Sequence, residues 1–491
     1  MADEAPGAVS LDSYQINIEG QLIDVNIFTS LEGFSYYYIA IQNITQSTNI
    51  VLEKIKEEFI SRINVGEIEF TSEGMAESIK DKFRKEIFFL IKKYFPGADQ
   101  RTSEMLINQL IRQNIGLGDI EILLKDKNLE EVVVNSCKEP VWVYHKKWGW
   151  LKTNIIIPTE EKVRHYATMI GRDVGKEITV LKPLMDAHLM SGDRVNATLQ
   201  PISSSGNTIT IRKFAVKPWT ITDMIQSKTI NYPAAALIWL AVQNELSTLI
   251  TGGTGSGKTS MLNVVCSFIP INQRIISIED TRELMLPNDL HWVPLETRLP
   301  NPEGKGEVSM LDLVVNSLRM RPDRIIMGEI RRKAEAEVLF EAMHTGHSVY
   351  GTLHANNVRE TIVRLTNPPI DVPKSILSSL SLIVVENRNR RTGFRRVLQV
   401  AEMLENGDPN MLLQYDVKRD DLVPVNDSIS TVDSLELYTG MSKKQIEDDI
   451  NEKVSILKRL IKNNVNDVHE VGSVFRAYYN KKARELRTSG K

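Results

Sequence analysis

Apolar positions along the chain change their spacing several times, and each change predicts a different kind of element. Residues 1–72 mix β-like runs such as INIEG with an amphipathic stretch, NIVLEKIKEEFISRI, and read as a small mixed module. In SIKDKFRKEIFFLIKKYF, Ile79, Phe83, Ile87 and Leu90/Ile91 recur at helical spacing, with Lys and Glu opposite and Pro96-Gly97 as the stop. A core-facing helix is the favoured reading over one lying on a membrane surface, because a stripe of this width is what a buried face needs. From about residue 121 the pattern turns strand-rich: IEILLKD, LEEVVVN, PVWVYHKKWGWLKT, RVNATLQP and NTITIRKF. AVKPWTI, with Pro218, marks a hinge.

Beyond it, the apolar runs LSTLIT, RIISIED, RIIMGEI, SVYGTLHA and SLIVVEN are mostly separated by helical segments, the rhythm of a parallel sheet covered on both faces. The tail is helical: Ile446, Ile450, Val454, Leu457 and Ile461 share one face behind a capping box at Ser442 and Gln445. These shifts divide the chain into a helical/mixed module over 1–115, an α+β domain over 116–213, a hinge linker over 214–222, an α/β domain over 223–430 and a helical segment over 431–491.

A length of 491 residues exceeds one core, so several domains are expected. With 60 basic and 63 acidic residues, no global attraction to a polyanion exists, and nucleic acid is not favoured as a partner. No apolar run reaches the roughly 18–20 residues that span a bilayer, and MADEAPGAVSLDSYQ lacks the features of a signal peptide, so the expected location is cytoplasmic. Cys137 and Cys266 have no metal-type spacing and read as free thiols.

The chemistry concentrates in one stretch. Gly252, Gly253, Thr254, Gly255, Ser256, Gly257, Lys258, Thr259 and Ser260 fit G-x-x-x-x-G-K-[ST] between a strand and a helix. Glycines let successive N–H groups point at phosphate oxygens, and the helix adds its positive end. Lys258 then reaches the β- and γ-phosphates of ATP, while the Thr259 hydroxyl ligates Mg2+. Two later strands end in carboxylates, Glu279-Asp280 and Glu329. Gly328 stands where an aspartate often precedes the glutamate, so Glu329 is expected to act on magnesium through water, leaving Glu279 to orient the attacking water. His344, His347 and His354, three of eight histidines, lie close together in AMHTGHSVYGTLHAN. Phosphate sensing or a subunit contact suits His347 and His354 better than zinc, which lacks a completing ligand. RNRRTGFRR, residues 388–396, reads as a solvated hairpin in preference to a contact for acidic lipid.

GGTGSGKTS, SIEDTRELML, RMRPDRIIMGEIRR and MHTGHSVYGTLHAN resemble, in order, the Walker A, Asp-box, atypical Walker B and His-box motifs of the type II/type IV secretion ATPase superfamily, in its archaeal form. KPLMDAHLMSGDRVNATLQPISSSGNTITIRKF is similar to the domain before the hinge in that family. The resemblance covers roughly residues 120–405. It implies a RecA-like P-loop core, a mixed α+β N-terminal domain, a homohexameric ring and ATP held between the halves, with Arg194 and Arg212 reaching the triphosphate. It further implies a motor docked peripherally on a polytopic membrane platform protein that drives an archaellum or a type IV pilus-like filament; a conjugation-type ATPase is the alternative. With two cysteines the chain lacks the four-cysteine zinc module of many bacterial members, and the retraction signature is absent. Both departures point to the archaeal assembly branch or the shorter type IV secretion ATPases.

Overall fold

The computed structural model describes residues 9–18, 21–30, 33–40, 46–62, 75–114, 116–189, 191–213, 217–298, 300 and 304–488. The chain forms two compact units, Met1–Val216 and Lys217–Lys491. Residues 214–216 of the expected linker lie outside the described residues.

The first unit is built on a nine-stranded sheet. An antiparallel hairpin, Val9–Ile18 with Gln21–Thr29, leads to Ser35–Ile39, which pairs in parallel with Gly149–Thr153 through Tyr36–Lys152 and Tyr37–Thr153. Asn154 seals that junction by accepting from the Ile39 N–H and donating to the Ile39 carbonyl, at 2.9 and 3.0 Å. These three N-terminal strands therefore share one sheet with Leu129–Val134 and Thr208–Arg212, and the sheet runs across the boundary drawn at residue 115. The helix Met75–Tyr94 buries Ile87, Leu90 and Ile91 against Leu52, Ile55, Leu106 and Ile107, as its stripe requires; the Ile79 side chain lies outside the described residues.

One expectation in this unit is corrected. Residues 120–125 of the IEILLKD run form a helix, Ile120–Lys125, not a strand. A six-residue apolar run carries no decisive periodicity. Here the Glu121 carboxylate accepts the Leu117 N–H at 3.0 Å, which closes the preceding turn and starts a helix.

In the second unit five strands match the predicted runs: Thr248–Gly252, Arg274–Glu279, Arg324–Met327, Ser348–Leu353 and Leu382–Arg388. Across the sheet the order is His291–Glu296, Arg274–Glu279, Arg324–Met327, Ser348–Leu353, Thr248–Gly252 and Leu382–Arg388, all parallel. Arg395–Met403, Pro409–Asp416 and Asp421–Pro424 then extend it antiparallel, an addition the sequence pattern did not announce. The edge strands carry Pro294 and Pro424.

The helical tail packs one face into this unit's core. Ser442 caps the helix Lys443–Lys462 in a reciprocal box with Gln445, as its spacing predicts. Leu457, Leu460, Phe475 and Tyr478 join a core around Trp239. The Trp239 indole stacks on Phe268 at 5.4 Å between ring centres, and Phe475 and Tyr478 close in at 4.6 and 5.1 Å. Its N–H donates to the Tyr479 hydroxyl at 2.8 Å, so the one polar atom of a buried indole is satisfied.

Candidate functional site

The strand Thr248–Gly252 is buried along its whole length and feeds directly into the turn before the helix Lys258–Cys266. Thr254 and Gly255 are exposed at the tip, Ser256 is buried, and Thr259 and Ser260 occupy the first helical turn. Gly257 has φ +112°, and a Cβ there would meet Glu386 Oε1 at 2.8 Å; both the backbone geometry and the space exclude a side chain. Lys258 folds back so that its ammonium donates to the Gly253 carbonyl at 3.1 Å. Burial lowers its pKa, against the opposing fields of Glu329, Glu386 and Glu283. A half-buried ammonium whose hydrogen bond among the described residues goes to its own loop is held ready for an anion.

The two carboxylate-bearing strand ends lie side by side, since Arg274–Glu279 and Arg324–Met327 are neighbours with Ile278 opposite Met327. Glu279 is 3% exposed. Its Oε1 accepts the N–H groups of Glu283 and Leu284 at 2.9 and 3.1 Å, whereas its Oε2 is buried with no hydrogen-bond partner among the described residues. Burial pushes this carboxyl up to about 7, and the two backbone hydrogen bonds oppose the shift. Glu329 is more open and is gripped by Arg331, whose Nε and Nη2 donate to Glu329 Oε2 at 3.0 and 2.7 Å. The same guanidinium also bonds Asp280. Arg331 thus ties the Asp-box strand to the strand carrying Glu329.

Two residues escaped the sequence reading. Glu386, at the end of the strand beside Thr248–Gly252, is 1% exposed and lies against Gly257. Arg395 Nε donates to the Gly255 carbonyl at 3.2 Å, so the arginine-rich hairpin is not merely solvated: one of its arginines holds the phosphate loop. The available signal was a lone charged residue closing an apolar strand, SLIVVEN.

The histidines separate. His354 follows the strand Ser348–Leu353 at the loop-side end, near Asn356, whose Oδ1 is 2.9 Å from the position of a Cβ on Gly253. His347 precedes that strand, and its ring Nδ1 lies 3.3 Å from both the Ala342 carbonyl and Thr345 Oγ1. A six-residue strand separates it from the loop by roughly 15–20 Å. His347 therefore sits at the far end of that strand from its own loop.

Residues 174–394 match the model of a family described as Type II/IV secretion system protein. The chain belongs to the type II/type IV secretion ATPase family. An uncharacterized protein of Methanocaldococcus jannaschii is 37% identical over 346 residues, which cover 69% of this chain and 46% of that relative. The chain thus matches less than half of that relative's length. A second uncharacterized protein of the same organism is 34% identical over 384 residues, 76% of this chain and 69% of the relative. Among solved structures, the Legionella pneumophila ATPase DotB is 21% identical with a TM-score of 0.44, covering 70% of this chain and 86% of DotB.

Two further site residues expected of a secretion ATPase lie in the first unit. Arg194 and Arg212 are directly opposite each other on adjacent antiparallel strands, so their side chains emerge on the same face. Asp186 holds Arg194 through Nε and Nη2 at 3.2 and 2.7 Å. Glu131 is the cross-strand partner of Arg212 on its other side. The fold therefore gathers the two arginines, far apart in no sense but sequence, into one exposed cationic pair.

Magnesium fits the donor set of the loop. Among the described residues no three His, Cys, Asp or Glu side chains cluster as an all-protein metal cage. Magnesium keeps several waters and takes one or two protein ligands plus phosphate oxygens. Thr259, at the helix start, would supply the direct ligand, and Glu329, whose charge reaches Lys258, would act through the metal's water. Among the described residues the buried Ser256 Oγ, in the loop itself, has no hydrogen-bond partner, as a site built for a polar guest leaves it.

Proposed function

We propose that this chain hydrolyses Mg-ATP as the motor of a homohexameric ring docked on a polytopic membrane platform protein, driving assembly or rotation of an archaeal type IV pilus-like filament. Backbone N–H groups of residues 252–259 bind the phosphates, and Lys258 moves from the Gly253 carbonyl onto the β- and γ-oxygens. Magnesium, when bound, neutralises charge on the phosphate oxygens. Glu279 takes the role of water-orienting base, and Glu329 holds the metal's hydration shell. Arg194 and Arg212 serve a nucleotide in the assembled ring, where a guanidinium offsets charge developing in the transition state.

The observation that carries this reading is the half-satisfied Glu279. One oxygen is fixed by two N–H groups while the other is buried, without a partner among the described residues, and beside the Glu329 strand. Such a carboxylate is oriented and desolvated, as a base requires.

Phosphate release from the full chain tests it. Turnover should require magnesium and disappear in Lys258→Ala and Glu329→Ala. Wild-type rates in either variant would refute the site. Hydrolysis stimulated severalfold by DNA, with steep salt dependence, would favour a conjugation-type enzyme instead.

A further inference from the structure

Glu386 is a buried acid that the proposed hydrolysis does not use. It sits opposite Gly252 in the parallel register between the strands Thr248–Gly252 and Leu382–Arg388. That register lays its carboxyl against the last glycine of the loop, with Oε1 and Oε2 at 2.8 and 3.1 Å from the position of a Cβ on Gly257. Neither oxygen has a hydrogen-bond partner among the described residues. Lys258, from the helix start, and Arg395, from the adjoining antiparallel strand, are the cations that face it. Arg395 also grips the Gly255 carbonyl, Arg388 lies 3.4 Å from the position of a Cβ on Gly255, and Glu329 and Glu283 act on Lys258.

We propose that Glu386 is a positioning residue of the nucleotide site: its carboxyl must carry a proton for a polyphosphate to lodge against Gly257 and Lys258. Loading the loop therefore draws a proton from solvent onto the Glu386 carboxylate. This inference rests on the reading of residues 252–259 as a nucleotide site.

The physical case has two parts. An ionised Glu386 would compete with phosphate for Lys258, and it would place a like charge directly behind a bound anion in a desolvated setting. A neutral acid does neither, and it keeps the shape that seats Gly257. Burial already pushes this carboxyl up to about 8 despite Lys258 and Arg395, so the free protein holds both forms near neutral to mildly alkaline pH. Since the anion favours the protonated form, affinity must fall as pH rises through that value.

The test is binding of MgADP to the full chain between about pH 7 and pH 9, in wild type and in Glu386→Gln, whose amide mimics the neutral acid. From about pH 7.5 to 9 the wild type should lose roughly fivefold or more affinity beyond any loss in the variant. Parallel profiles would overturn the proposal. Calorimetry at about pH 8.5 in two buffers of different ionisation heat provides an arm that needs no variant. Uptake of most of one proton per MgADP is expected, and no uptake overturns the proposal even if Glu386→Gln does not fold. If MgADP binds at no pH, the nucleotide-site reading itself fails and this inference falls with it.

Discussion

Glu279 occupies the space beside Gly328. A Cβ on Gly328 would lie 3.4 Å from Glu279 Cγ, and the Gly328 N–H donates to the Ile278 carbonyl at 2.8 Å. The glycine that departs from the commoner aspartate is thus the neighbour of a buried carboxylate arriving from the adjacent strand. Gly328→Asp should place a second carboxyl beside Glu279, and the like charge should drive the Glu279 pKa higher still. We expect kcat for ATP at neutral pH to drop about tenfold or more, with MgADP affinity less affected. Unchanged kcat would show that the glycine is incidental.

Glu279 should impose its own pH dependence on turnover. With its carboxyl pushed up to about 7, the base form grows as pH rises, so kcat should climb from about pH 6 and level off by about pH 8. Glu279→Gln should cut kcat by about 10²-fold or more and remove the climb. The same shift has a stability consequence of fixed sign. Because the folded-state value lies above the ordinary 4.5, its contribution is full below that value and is lost as pH rises through about 7. Melting temperatures of wild type and Glu279→Gln should therefore diverge in the variant's favour over that window.

Arg331 bridges Glu329 and Asp280 while remaining largely exposed. Exposed ion pairs contribute about 0–1 kcal/mol, so Arg331→Ala should scarcely move the denaturant midpoint. It should nevertheless raise the magnesium concentration needed for half-maximal turnover, because Glu329 loses the guanidinium that aims it. A large stability loss with normal magnesium dependence would be the contrary result.

Trp239 ties the helical tail into the second unit's core. Trp239→Ala removes the stack on Phe268 and the contacts with Phe475 and Tyr478, and should destabilise by about 3–5 kcal/mol in chemical denaturation. Truncation before Lys443 should have a similar or greater effect, seen as loss of a cooperative transition. A truncated chain melting like the full one would contradict the packing.

Signals that are local in sequence proved readable, and those created by strand register did not. The phosphate loop is contiguous, and its strand, glycines and helix follow one another as the chemistry demands. Glu279 and Glu329 stand out in the sequence because each closes an apolar run on a parallel strand. Glu386 closes such a run too, but only its pairing with Gly252, distant in the chain, gives it a place under the loop. The helix Ile120–Lys125 was misread because six residues do not distinguish periods of 3.6 and 2, and a side-chain bond to Leu117 decided the matter. His347 and His354 look equivalent in sequence, yet the strand between them sends them to opposite ends of the sheet.

A wide open sheet has two flanks, and in the second unit each flank ends in a strand containing an imino acid. Pro294 on one side and Pro424 on the other withhold a backbone N–H where an incoming strand would look for a donor. Copies of this chain are thereby discouraged from zipping together by lengthening that sheet. In the ring proposed above, contacts between copies would then be made by side chains, which can part and re-form, where a continuous backbone ladder would lock them.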